Sequence, residues 1–380
     1  MRRELEHVEI PGEHEARERA WAVVAAAFAE REPVPRARSW KPFVAVAVGL
    51  VALAGLLSPP GRAVLDEIRE VVAVEEAREP LVTLPTGGRL LVAAQGSTWI
   101  VQPDGSRRRL GSYTSATWSP RGLYVAVTAR TGLKALDPQG RVRWTLTRRN
   151  PIWPRWAPSG FRIAYFSAAH LRVVAGDGTG DRLVARNAVP NPPAWSPTVD
   201  AHVLAYSDRT GRIHVADVDT GREQWRSAIG EPAIQLEWSS DGARLLALGP
   251  RSLRVFQGNG VLLRTIPIEG APAAVAFRPG SRTFALSQRL DGSRGEVTLL
   301  PAERSGRARP VFRGAGAFSQ IAWSPDRRWL LVPWPSADQL VFVRVGTPPR
   351  IVTESDVTAY FSPGAPGGVF PTISGWCCAR

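Results

Sequence analysis

Trp238-Ser-Ser-Asp-Gly-Ala-Arg-Leu-Leu-Ala-Leu248 is the stretch that decides the fold. An aromatic residue closes one apolar segment, Ser-Asp-Gly makes a tight turn, and an apolar run begins the next segment. The same order of events recurs at Trp118-Ser-Pro-Arg-Gly122, Trp156-Ala-Pro-Ser-Gly160, Trp195-Ser-Pro197, Phe277-Arg-Pro-Gly280, Trp323-Ser-Pro-Asp326 and Phe361-Ser-Pro-Gly364. Successive aromatics lie 38, 39, 43, 39, 46 and 38 residues apart, a period that marks a chain of repeated supersecondary units.

Each turn leads into an apolar run: Tyr124-Val-Ala-Val127, Ile163-Ala-Tyr-Phe166, Val203-Leu-Ala-Tyr206, Leu245-Leu-Ala-Leu248, Phe284-Ala-Leu286 and Trp329-Leu-Leu-Val332. Five carry an alanine at a nearly fixed offset (Ala126, Ala164, Ala205, Ala247 and Ala285), as crowded packing between neighbouring units requires. A third strand follows, as in Leu133-Lys-Ala-Leu136 and Ile213-His-Val-Ala216, then a more polar fourth, as in Arg141-Val-Arg-Trp144 and Glu223-Gln-Trp225. Alternation of apolar and charged residues predicts that the third and fourth strands are half-exposed.

This repeat resembles the TolB-like, WD-like β-propeller, over about 300 residues. The resemblance implies an all-β fold and a binding, scaffolding or accessory role. Two units, Ala135-Leu-Asp-Pro-Gln-Gly-Arg-Val-Arg-Trp144 and Ala216-Asp-Val-Asp-Thr-Gly-Arg-Glu-Gln-Trp225, also resemble the tryptophan-docking repeat of pyrroloquinoline quinone propellers. The other units depart from that pattern, so no cofactor is carried over.

The two ends of the array predict how it closes. Upstream of Trp118, Leu90-Leu-Val-Ala93, Trp99-Ile-Val101 and Arg107-Arg-Arg-Leu110 form a unit lacking its first strand. Downstream, Thr358-Ala-Tyr-Phe361 reads as a first strand lacking its unit. Joining them gives seven blades, with six as the alternative.

Before the array, Phe43-Val-Ala-Val-Ala-Val-Gly-Leu-Val-Ala-Leu-Ala-Gly-Leu-Leu57 contains no polar side chain and is bracketed by Pro42 and Ser58-Pro59-Pro60. With its flanks it predicts one transmembrane helix over residues 42–58. Arg31, Arg36, Arg38 and Lys41 precede it, and the acidic Asp66, Glu67, Glu70, Glu75, Glu76 and Glu79 follow, so the N-terminus is expected in the cytoplasm and the propeller outside. Ala52-Leu53-Ala54 has the form of a signal-cleavage site, the alternative to a retained anchor. The expected organisation is a helical cytoplasmic segment over 1–41, the membrane helix over 42–58, a juxtamembrane helix and linker over 59–83, and the propeller over 84–380.

The net charge of +14 is nearly all arginine, since Lys41 and Lys134 are the only lysines. Residues 1–41 carry eight basic and eight acidic side chains and residues 58–80 three and six, which leaves +17 on residues 81–380. That field suits an anionic envelope polymer or lipid headgroups, whereas no basic helix or RNA-binding motif organises nucleic-acid contacts. Cys377 and Cys378 form no CxxC or zinc pattern and are expected as unpaired thiols.

The sequence offers no catalytic, metal or cofactor residues. His7, His14, His170, His202 and His214 show no metal-ligand spacing, and there is no GxSxG elbow. Asp177-Gly-Thr-Gly-Asp181 and Asp217-Val-Asp219 look like calcium loops but lack the later glutamate, and they read as turns. The expected function is therefore a non-catalytic interaction module that binds a protein, peptide or polymer at a propeller face. The alternative is a propeller enzyme or ligand sensor using the central channel.

Overall fold

The computed structural model describes residues 82–290, 293–303, 306–346, 348–361 and 368–378. The predicted segments 1–41 and 42–58, and nearly all of 59–83, lie outside them. No helix among the described residues is long and apolar enough to cross a membrane.

Among the described residues, twenty-eight strands form seven four-stranded antiparallel sheets. Blades 2 to 7 are each built from consecutive strands, over residues 115–147, 152–185, 194–226, 235–267, 271–315 and 322–354. In blades 2, 3 and 5 the turn after the aromatic works as its residues predict: the amides of Gly122, Gly160 and Gly242 each donate to a carbonyl three residues earlier. All three glycines hold a positive φ, between 64° and 81°, which a Cβ disfavours. Blade 7 lacks this glycine, and Arg327 takes the left-handed conformation instead (φ 64°).

Blade 1 is assembled from both ends of the chain. Arg89–Ala94, Ser97–Val101 and Arg107–Gly111 supply three strands, and Thr372–Cys377 pairs with Arg89–Ala94 as the fourth. Seven blades are thus closed by strand pairing, which removes the six-bladed alternative. The closing strand is not the one expected. Residues of the Thr358-Ala-Tyr-Phe361 segment lie in a short helix, Val357–Phe361, whose Val357, Tyr360 and Phe361 are buried against blades 7 and 1. The seventh aromatic is Trp376, which stands opposite Leu90 as Trp238 stands opposite Leu245. Cys377 and Cys378 at the end of that strand are bonded to each other, not present as the unpaired thiols expected.

Apolar side chains gather in seven clusters, one at each blade junction. Ala126, Ala164, Ala205, Ala247 and Ala285 are fully buried within them, on the second strands. The third strands differ from expectation. Lys134 and His214 are only partly exposed and Arg254 is buried, because the adjoining blade covers that face. The fourth strands are the half-exposed rim. Trp144 and Trp225 clamp two junctions: their indoles donate to the carbonyls of Gly176 and Gly258 at 2.8 Å, in hairpins of the following blades. A Cβ on Gly178 or Gly260 would meet those rings at 2.8 and 2.7 Å, so only glycine admits the indole.

Truncation before Thr372 removes Ile373 and Trp376 from the junction between blades 7 and 1 and leaves Arg89–Ala94 with an open edge. Burial of two such side chains is worth about 5 kcal/mol. Calorimetry of the truncated protein should lose the single cooperative transition, or show a lower melting temperature with aggregation. A monomer that melts like the full chain would show that closure does not depend on this strand.

Candidate functional site: the central channel

The first strands of successive blades approach one another around the ring, so their free edges surround the axis. The residue just before the aromatic is Thr117, Ala194, Ala276, Ala322 and Gly375 in five blades. In blades 3 and 5 it is Arg155 and Glu237, two long charged side chains on either side of the short strand Ala194–Trp195. The backbone beside Arg155 is held by the Trp195 indole, which donates to its carbonyl at 2.9 Å.

Arg155 and Glu237 retain a little exposure, yet protein encloses them, as befits groups lining a narrow passage. Burial pushes the Glu237 carboxyl up to about 7 despite the opposing pull of Arg155. Burial likewise lowers Arg155, and the Glu237 charge acts against it. Among the described residues neither side chain has an ion-pair partner within 4.0 Å or a hydrogen bond of its own. The pair can therefore offer a guanidinium and a carboxyl to a third group that reaches between them.

The other candidates in the sequence are accounted for by local structure. His214 lies between Glu223 and Asp208, at 2.7 and 3.0 Å, and stacks on Tyr206. Asp177 accepts from the amide and hydroxyl of Thr179, and Asp181 is held by Arg148, Arg172 and Tyr165, so the calcium-like loop spends its carboxylates internally. Burial first, and then the hydrogen bond to Asp181, raises the Tyr165 phenol to about 12. No group of three His, Cys, Asp or Glu side chains among the described residues is arranged to hold a metal ion. His170 keeps a buried Nδ1 without a partner, and His202 is bonded to Ser159 and Asp219. Arg155 and Glu237 escaped the sequence reading because a charge before an aromatic marks neither a strand face nor an axis. The only signal was that small residues hold the position elsewhere.

No family model matches the chain, and no curated protein matches it in sequence. Solved structures do. A chain of a mitotic checkpoint complex is similar with a TM-score of 0.55 at 15% identity, covering 70% of this chain and 94% of that one. Kuenenia stuttgartiensis hydrazine synthase is similar with a TM-score of 0.53 at 15% identity, covering 61% and 76%. Kluyveromyces lactis Hsv2p is similar with a TM-score of 0.52 at 14% identity, covering 68% and 90%. Likeness at this identity establishes the fold alone: the protein is a seven-bladed, WD-like β-propeller.

The raised Glu237 carboxyl makes stability depend on pH. Because the folded state binds that proton more tightly than the unfolded chain, the stability contributed by this group is fully present below about pH 4.5 and is lost as pH rises through about 7. Glu237→Gln should therefore gain about 2 kcal/mol over wild type at about pH 8 and nothing at about pH 4, read by denaturant unfolding. A difference that does not vary with pH would mean that Glu237 is not buried as a charge.

Proposed function

We propose that this protein is a membrane-anchored, extracytoplasmic interaction module of the TolB-like kind, whose central mouth receives a charged segment of a protein or peptide partner. The observation that carries this reading is Arg155 and Glu237, densely surrounded on the innermost strands and without a hydrogen bond or close ion pair of their own. A buried charge without a partner costs stability, so a bound group that completes both would be favoured by several kcal/mol of recovered interaction. The arginine excess on residues 81–380 extends the same preference to acidic partners or envelope polymer approaching from outside, through long-range attraction. Nucleic acid is the less favoured anion for the reasons given by the sequence. The anchor rests on the apolar run at residues 43–57 and on the charges flanking it.

Capture of partners from native membranes should succeed with the wild-type protein. It should fall at least about tenfold with an Arg155→Ala, Glu237→Gln variant that melts no lower than wild type. Equal capture would place the interaction away from the channel.

The topology has its own test. In a background with Cys377→Ser and Cys378→Ser, a cysteine replacing the exposed Arg209 should react with a membrane-impermeant maleimide in intact cells. Reaction only after lysis would put the propeller in the cytoplasm.

A further inference from the structure

Three side chains from two neighbouring blades meet on one face of the ring. Ser159 lies in the turn between the first and second strands of blade 3, His202 precedes Val203–Ser207 of blade 4, and Asp219 sits in that blade's third turn. The Ser159 Oγ is 2.8 Å from His202 Nε2. His202 Nδ1 is bonded in turn to Asp219 Oδ2. Asp219 Oδ1 accepts from Arg162 Nε at 2.9 Å and from Arg182 Nη2 at 2.6 Å.

The order of these contacts fixes the direction of the proton chain. Although burial acts to raise it, Asp219 is held far below the usual carboxylate range by hydrogen bonds from Arg162, His202 and Arg182. An ionised carboxylate accepts only, so the neutral imidazole must carry its proton on Nδ1 and present a lone pair at Nε2. Ser159 then donates its O–H to Nε2, while its oxygen accepts from the Phe161 amide at 3.2 Å. The ring is also held from behind, edge-on to Trp195 at 6.4 Å.

We propose that Ser159, His202 and Asp219 form a nucleophilic centre that hydrolyses carboxylic esters with an apolar acyl group. The relation of nucleophile, base and orienting carboxylate is the one that acyl transfer requires, with no metal. The acyl preference follows from the surroundings. Phe161 is 67% exposed two residues from the nucleophile, and Val199, 58% exposed, lies in the loop that ends in His202. Leu123, 59% exposed, occupies the equivalent turn of blade 2. Single exposed apolar residues are common, but three in successive turns on the same face make a strip for a hydrocarbon chain.

In the first half of the reaction, Ser159 Oγ adds to the ester carbonyl carbon as its proton passes to His202 Nε2. The adduct collapses, the bond to the alcohol oxygen breaks, and the alcohol leaves with that proton. Water then adds to the acyl group, giving one proton to Nε2. The carbon–Oγ bond breaks, Ser159 recovers the proton, and the carboxylic acid is released. The Arg162 guanidinium bridges Asp219 and the Phe161 carbonyl, and so holds the carboxylate that orients His202.

A fluorophosphonate should modify the full-length protein stoichiometrically at Ser159, located by peptide mass spectrometry, and p-nitrophenyl butyrate should be hydrolysed with an initial burst. Ser159→Ala should abolish labelling, and Ser159→Ala and His202→Ala should each slow hydrolysis at least about a hundredfold. Ser159→Ala removes a single hydroxyl, and its melting temperature will show that it folds. If folded wild-type protein takes no label at Ser159, or Ser159→Ala hydrolyses the ester as fast as wild type, the three residues are only a clasp between blades 3 and 4.

Discussion

The pairing of Thr372–Cys377 with Arg89–Ala94 joins parts of the chain nearly 300 residues apart, whereas every other sheet is built within one repeat. Each blade buries its two faces only against its neighbours, so an open array of blades would leave two apolar faces and two bare sheet edges in water. Closure converts those faces into the junction that buries Leu90, Val92, Leu331, Phe342 and Trp376. The channel depends on it as well, because Arg155 and Glu237 are brought to one axis only by a ring with a fixed number of blades.

The ring has no single central core. Its seven apolar clusters are layers between blades, and polar contacts reinforce the same junctions. The Arg148 and Arg172 pair with Asp181 ties blade 2 to blade 3, Arg162 and Arg182 tie blade 3 to blade 4 through Asp219, and Arg244 reaches Glu303 from blade 5 to blade 6. Ion pairs of this sort contribute little where exposed and more where neighbouring blades cover them. They also use up carboxylates, which leaves the excess arginine to set the external field.

The channel pair and the Ser159 network place opposite demands on a junction. Arg155 and Glu237 are held apart on either side of the strand that carries a small residue, Ala194. Ser159, His202 and Asp219 are joined in one directed chain, and the exposed Phe161 and Val199 beside them are tolerated in water at some cost in solubility. Arg155 and Glu237 arise where two repeats carry a charge in place of the small residue that the others hold before the aromatic, and Ser159 occupies a turn position that varies between repeats, being Arg121, Thr198, Asp241, Gly280 and Asp326 elsewhere.

The amino-acid sequence alone determined the strand composition, the repeat length and the turn after most of the aromatics, because these depend on residues close together in the chain, whereas the choice of seven blades over six was settled by the pairing of the two chain ends. Local reading failed at Phe361 and Trp376. The aromatic-Ser-Pro-Gly pattern signals a hairpin between the first and second strands, but in the closing blade those strands are not consecutive, so Trp376 needs no turn after it. Residues 357–361, freed from pairing, coil into a helix that caps the junction with Tyr360 and Phe361. The meeting of Ser159 with His202 and Asp219 was likewise settled only by tertiary structure, as was the placing of Arg155 and Glu237 on either side of Ala194–Trp195. Side chains 40 to 80 positions apart become neighbours through the rotation from one blade to the next, and no periodicity within a single repeat encodes that rotation.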